Sequence, residues 1–268
     1  MTNPQENSAA PRAPSDLWGV LRMAGRLPLL ALHAVVSLPV TLAVVSQGYD
    51  KEGARRRWAE GWMAWWSGTM LRIFGFRIEV RGEPAAEPVF ILANHMSWAD
   101  IELIHSQLAA GFVAKAEIAR WPLIGFMAKV GGTVFHQRGH SGSQAQVTGA
   151  LADRLRSGRS VAIFPEGRTG PGRPVLPFHG RMLQAAVETN TPIQPVAITF
   201  LRDGRFTPEI AFGANESFGA SLVRLLRQRT TVARIHFLDT RAPDLGRSEL
   251  ARWARAKVAQ VVEHDDPL

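Results

Sequence analysis

Cysteine is absent from the 268-residue chain. Its absence excludes disulfides, thiolate metal sites and a cysteine nucleophile together. No G-x-S-x-G run occurs, so the nucleophile elbow of a lipase-like hydrolase is missing too. Nothing matches a zinc finger or an RNP motif, and no Lys/Arg-rich helix is interleaved with stacking aromatics, so nucleic acid is not an expected partner. Acidic charge is the scarcer sign, with 23 Asp and Glu against 31 Lys and Arg, a net charge of +8. A basic surface suits phospholipid head groups or phosphorylated substrates. Tyrosine occurs once, against eight tryptophans, and the positions of those tryptophans carry information.

What is present has the composition of a folded core, at 46% hydrophobic and 20% charged residues. The length suits one large domain, with or without an appendage. Residues 1–15 are polar and proline-containing and read as a disordered tail. Leu27–Ser46 is uncharged and long enough to cross roughly 30 Å of hydrocarbon, although Pro28, Pro39 and His33 interrupt it. Arg22 and Arg26 precede this run, and Lys51, Arg55, Arg56 and Arg57 follow it. Positive charge on both flanks gives no orientation bias. A re-entrant or shallow helix with both ends on the cytoplasmic face of the inner membrane is therefore expected. Trp58, Trp62, Trp65 and Trp66 fall on one face of the next helical stretch, and tryptophan favours the membrane–water interface. Residues 16–75 thus read as a two-helix membrane-associating segment. A cleaved signal peptide is opposed by the late start of the run and the lack of a small-x-small site. An ordinary buried helix pair is the other reading.

Residues 76–268 alternate between strand-like and helical patterns. Strand-like runs lie at Phe76–Val80, Val89–Ala93, Gly111–Ala114, Thr133–His136, Ser160–Phe164, Ile193–Phe200, Glu209–Phe212 and Val232–Leu238. Helical spacing appears at Val147, Ala150, Leu151 and Leu155, and again at Leu250, Trp253, Ala254, Val258, Val261 and Val262. The pattern predicts an α/β domain with a mixed, largely parallel sheet flanked by helices.

Four stretches in that domain carry chemistry. In Asn94–Asp100, "NHMSWAD", Ser97 and Asp100 match a capping box. Five residues on a continuous helix turn through about 500°, so His95 and Asp100 can meet only if the histidine precedes the helix. A cap at Ser97 creates that geometry, and a histidine held by a carboxylate is a competent base. In Gly131–Gly139, "GGTVFHQRG", a strand ends in Arg138, an arginine able to fork onto a phosphate; a solvated strand-end arginine is the plainer reading. In Val161–Gly170, "VAIFPEGRTG", an apolar strand runs into Glu166, Gly167, Arg168 and Thr169, at the strand end where α/β sites lie. In "TPIQPVAITF", Thr191–Phe200, Pro195 predicts an edge strand or a bulge. His95, His136 and His179 lack ligand-like spacing with acids, so no metal site is expected.

These four stretches, in this order, resemble the 1-acyl-sn-glycerol-3-phosphate acyltransferase family over roughly residues 76–200. The resemblance implies transfer of a fatty acyl group to the sn-2 hydroxyl of 1-acyl-glycerol-3-phosphate, yielding phosphatidic acid. It implies His95 as general base and Asp100 as its orienter, with Arg138 on the acceptor's phosphate. Glu166, Gly167, Arg168 and Thr169 would line the glycerol-phosphate site, and Pro195 would lie near the acyl or acceptor site. The donor would be acyl-CoA or acyl carrier protein, with no other cofactor, and the partners a lysophospholipid acceptor and membrane lipid. Two departures bear on the acceptor. The family usually reads Phe-Pro-Glu-Gly-Thr-Arg, whereas Arg168 and Thr169 are exchanged here, and His179 stands where a lysine is common. A lyso-aminolipid such as lyso-ornithine lipid is therefore the alternative acceptor. A catalytically silent lipid-binding protein is the competing class, though it has no need of the His95/Asp100 pair.

Overall fold

The computed structural model describes residues 16–46, 54–86, 88–121, 124–136, 143–213 and 215–265. The expected tail at 1–15 lies outside these residues. The N-terminal part is a pair of helices, α1 (Leu17–Ser46) and α2 (Ala54–Ile73). Among the described residues nine strands follow: β1 (Phe76–Arg81), β2 (Phe90–Ala93), β3 (Ala110–Gly111), β4 (Val113–Lys115), β5 (Val134–His136), β6 (Ser160–Ile163), β7 (Ile193–Arg202), β8 (Arg205–Phe206) and β9 (Thr231–Phe237). Between and after them run α3 (Ala99–His105), α4 (Ile124–Val130), α5 (Ser143–Arg156), α6 (Gln184–Thr189), α7 (Phe218–Arg227) and α8 (Arg247–His264).

The main sheet has the order β1-β9-β7-β2-β6-β3, with β8 folded back on β7. All its pairings are parallel except β7 with β9 and with β8. Helices cover both faces, which explains why β2 and β6 read as unbroken apolar runs rather than alternating ones. Ile91, Ala93, Ala162, Val196 and Ile198 face a core shared with α2, α3 and α7. Phe90, Leu92, Val161, Ile163 and Ala197 face a second core, where Val147, Leu151 and Leu155 of α5 meet Leu250, Ala254, Val258 and Val262 of α8. Ala150, placed on the inner face of α5 by its spacing, is exposed.

Two expectations need correction, and a third holds in part. Gly111–Ala114 is not one strand: β3 pairs with β6, whereas β4 pairs with β5 in a separate small sheet, the chain changing partners at Phe112. Glu209–Phe212 is not a strand. Pro208 starts a single 3-10 turn, and the Phe212 N–H then bonds the Met96 carbonyl at 2.7 Å, laying this segment against the "NHMSWAD" loop. Pro195 does not mark an edge, because β7 lies between β2 and β9. It does adjoin a bulge, since Val196 pairs with Phe237 while Ile193 pairs with Arg241, which sets residues 239 and 240 against Gln194 alone. The missing Pro195 N–H would have served the Leu238 carbonyl, since the Leu238 N–H donates to the Pro195 carbonyl at 3.0 Å. The Gln194 side chain supplies the replacement, with Nε2 donating to the Leu238 carbonyl at 3.1 Å. A neighbouring amide thus makes proline tolerable in a central strand.

Helix α1 is long and apolar enough to cross a membrane over Leu17–Ala43. Its inward stripe is polar: the Trp66 indole donates to Ser37 Oγ at 2.9 Å and the Trp62 indole to Thr41 Oγ1 at 3.2 Å, while His33 lies beside the rings of Trp65 and Trp66. Near its start, Arg22 and Arg26 donate to the Leu226, Arg227 and Gln228 carbonyls at the end of α7. The opposite face exposes Leu21, Leu32, Val35, Val36 and Leu42. The tryptophan stripe accordingly splits, with Trp62 and Trp66 bonded to α1 and Trp58 and Trp65 half exposed.

Candidate active site

The site is assembled at the carboxyl ends of β2 and β6, adjacent parallel strands at the centre of the sheet. Beyond Ala93 the chain leaves β2 as a loop and turns into α3 at Ala99. Asn94, buried, ties this loop to β7: its Nδ2 donates to the Ile198 carbonyl at 2.9 Å, and its Oδ1 accepts the Ile198 N–H at 2.8 Å. His95 therefore lies in the loop and Asp100 in the first turn of α3, the arrangement their separation requires.

The His95 Nδ1 and Asp100 Oδ2 are 2.8 Å apart. A carboxylate oxygen accepts, so Nδ1 carries the proton and Nε2 keeps its lone pair for an incoming group. The same Oδ2 accepts the N–H groups of Met96 and Ser97 at 2.6 and 2.8 Å. Half of the anticipated capping box is thus made, with Asp100 reaching back. The other half is altered, since Ser97 Oγ meets the Ala99 N–H at 3.4 Å. One fully buried carboxylate both starts the helix and holds the ring. The His95 side chain is 17% exposed, which leaves it approachable. Its ring stacks on Phe164, centroids 3.9 Å apart and planes at 10°, and Phe164 stacks in turn on Phe112 at 5.6 Å.

The loop after β6 supplies the rest. Glu166 Oε1 accepts the His95 N–H at 2.9 Å. Burial raises the Glu166 carboxyl to about 7, against the opposing pull of N–H groups from His95 and Leu176. Gly167 has φ of +71°, a left-handed conformation that strains residues with a Cβ, and its N–H closes the turn on the Phe164 carbonyl at 3.1 Å. Arg168 is exposed and Thr169 half-buried at the rim, where Thr169 Oγ1 lies 3.5 Å from the Phe212 carbonyl. The His179 N–H bonds the Pro165 carbonyl at 2.9 Å, which sets His179 beside this turn. Among the described residues no group of three or more His, Asp or Glu is placed to hold a metal ion.

The structure thus brings together His95, Asp100, Glu166, Gly167, Arg168 and Thr169. Arg138 lies outside the described residues. Pro195 is buried within the sheet, opposite Leu92. Two contributors were not singled out from sequence. Asn94 is signalled only by its place between a strand and the histidine, and Phe164 is indistinguishable in sequence from an ordinary core aromatic.

Comparison with known proteins bears on the same residues. The Acyltransferase family profile matches residues 77–199, which contain all of these positions. A lyso-ornithine lipid O-acyltransferase of Pseudomonas aeruginosa is 36% identical over 240 residues, covering 89% of this chain and 91% of that protein. A 1-acyl-sn-glycerol-3-phosphate acyltransferase of Neisseria meningitidis is 31% identical over 161 residues, 59% of this chain and 63% of that protein. The crystal structure of the 1-acyl-sn-glycerophosphate acyltransferase PlsC from Thermotoga maritima superimposes with a TM-score of 0.64 at 22% identity, covering 90% of this chain and 96% of that one, and shares the fold. With one relative matching nearly end to end and the His–Asp pair in bonding contact, the chain belongs to the 1-acylglycerol-3-phosphate acyltransferase family and is an acyltransferase of lysolipid-type acceptors.

Proposed function

We propose that the protein transfers a fatty acyl group from a thioester of coenzyme A or acyl carrier protein to the hydroxyl of a lyso-ornithine-type lipid, with His95 as general base. The observation that carries the chemistry is the 2.8 Å contact of His95 Nδ1 with Asp100, which leaves Nε2 as the proton acceptor. Nε2 takes the hydroxyl proton as the lipid oxygen attacks the thioester carbon. The tetrahedral oxyanion collapses, the C–S bond breaks, and the thiolate leaves with the proton that the imidazolium returns. Asp100 stabilises that imidazolium while it exists. The acyl thioester is a co-substrate, and no other cofactor enters the step.

The acceptor assignment draws on the Pseudomonas relative, whose similarity runs through 89% of the chain, and on the exchanged Arg168-Thr169 and on His179. Both alter the cationic lining at the turn after β6. A second reading, acylation of 1-acyl-glycerol-3-phosphate at its sn-2 hydroxyl to give phosphatidic acid, is favoured by the Neisseria relative and by the intact Phe-Pro-Glu-Gly. In both readings Arg138, Arg168 and Thr169 meet the acceptor's head group, Gly167 shapes the turn, and Pro195 supports the end of β2 from within the sheet. The exposed apolar face of α1 rests in the cytoplasmic leaflet of the inner membrane, where the amphiphilic acceptor already resides.

The test is a panel of lyso-ornithine lipid and lysophosphatidate, each with acyl-CoA and acyl carrier protein, followed by thiol release and lipid product. The proposal expects acceptor-dependent thiol release, fastest with lyso-ornithine lipid. His95→Ala should lower kcat by about 10²–10⁴-fold in a protein that still folds. Faster turnover of lysophosphatidate would transfer the assignment to the second reading. Thiol release without acceptor would mean hydrolysis, and an active His95→Ala would remove the base.

A further inference from the structure

We infer that Glu166 is a positioning residue for His95, holding the peptide N–H of the base instead of gripping the acceptor. The inference rests on the acyl-transfer reading above and deepens it.

Glu166 is only 7% exposed, and the protein takes up one of its carboxylate oxygens by a hydrogen bond. Oε1 accepts the His95 N–H at 2.9 Å. Oε2 faces Gly170, where an added Cβ would come within 3.2 Å of it and 3.1 Å of Leu176 Cδ1. The nearby Leu176 N–H also favours the charged form of the carboxylate. Arg255, the neighbouring cation, donates to the Val175 and Leu176 carbonyls at 2.7 and 3.1 Å, bracing the strap against which Glu166 lies. The near-complete burial of Glu166 leaves little of it for a head-group hydroxyl, and in the same loop it is Arg168 that offers an exposed polar side chain.

The contacts of His95 make the complementary case. Its N–H is held by Glu166, and its carbonyl accepts the Gly170 N–H at 2.7 Å. Its ring lies flat on Phe164 from the same loop, and Nδ1 is bound by Asp100. One strand-end loop therefore clamps the peptide groups on both sides of the catalytic side chain. Peptide orientation sets the direction of the Cα–Cβ bond and hence where Nε2 points. Asp100 holds the ring and, through the Met96 N–H, the peptide after His95, whereas the N–H of His95 itself is held by Glu166. Freeing the N–H lets the whole side chain drift relative to the attacking hydroxyl, and displacements of about 1 Å cost on the order of 10²-fold in rate.

The experiment compares the full chain in detergent micelles with Glu166→Ala and Glu166→Gln, measuring kcat and the acceptor KM. In parallel, the low-field Nδ1–H resonance of His95, assigned by its loss in His95→Ala, is followed by NMR. Glu166→Ala should lower kcat by roughly 10- to 100-fold with the acceptor KM within about twofold. Glu166→Gln retains a carbonyl oxygen for the His95 N–H and should recover kcat to within about fivefold of the parent. A raised KM with kcat retained in Glu166→Ala overturns the inference. So does a folded Glu166→Gln as inactive as the alanine variant, because that pattern means the negative charge reads the acceptor. Should Glu166→Ala fail to fold, the glutamine variant decides alone by the same criterion. A parent that turns over no lysolipid refutes the acyl-transfer reading, and the resonance then judges the positioning role by itself: an Nδ1–H signal shifted or broadened in Glu166→Ala and kept in Glu166→Gln supports it, and one unchanged in both overturns it.

Discussion

Glu102 sits one turn into the site helix α3, two residues beyond Asp100, and faces α2, where the Ser67 hydroxyl donates to its Oε2 at 2.7 Å. Burial raises its carboxyl to about 7, the Ser67 hydroxyl pulling the other way. The unfolded chain binds that proton only below about 4.5. Between these values the folded protein holds a proton that the unfolded chain has lost, so stability falls as pH rises through the window. At about 1.4 kcal/mol per pH unit of separation, the loss approaches about 3 kcal/mol once the pH is well above 7. Glu102→Gln keeps a carbonyl for the Ser67 hydroxyl and has no charge to bury. The variant should therefore be more stable than the parent by about 3 kcal/mol at pH 8 and nearly equal to it at pH 4.5. For a chain of this size that is roughly 6 °C or more in Tm at the higher pH. Thermal unfolding followed by circular dichroism in one detergent, from pH 4.5 to 8, reads the difference directly. Glu166 contributes a slope of the same sign to both proteins and cancels. Parallel pH profiles for parent and variant, or a variant less stable at pH 8, would refute the burial argument.

Two further outcomes follow from local accounting. Gln194→Leu removes the donor that replaces the missing Pro195 N–H, leaves the Leu238 carbonyl unpaired, and should destabilise the protein by about 1–3 kcal/mol in denaturant melts; an unaltered midpoint would mean that carbonyl has another partner. Replacing Leu32 and Val36, on the outer face of α1, with glutamate should weaken vesicle flotation while leaving acyl transfer to micellar acceptor intact, and undiminished flotation would place the membrane contact elsewhere.

Local sequence carried a large share of this architecture because the pertinent forces are local. Runs such as Ser160–Ile163 advertise a strand covered on both faces, and the Val258/Val262 spacing advertises a helix stripe. The separation of His95 from Asp100 by a helix start allowed their contact to be anticipated, since helix geometry over five residues is nearly invariant. The same locality explains the misreadings. Pro195 looked like an edge because the compensating amide acts on a carbonyl just past β9, 44 residues away in the chain. Glu209–Phe212 looked like a strand because its apolar character serves contact with Met96, not pairing in a ladder.

What sequence alone determined is therefore the alternating α/β pattern, the apolar helix α1 and the pairing of His95 with Asp100. Each depends on residues close together in the chain, whose relative geometry the backbone constrains. Only the tertiary structure decided that Glu166 faces inward to His95, that Asn94 pins the loop to β7, and that Ser37 and Thr41 turn toward tryptophan indoles. Those contacts join segments separated by 21 to 104 residues. At such separations the direction of a polar side chain is set by which strands and helices become neighbours, and no local spacing encodes that.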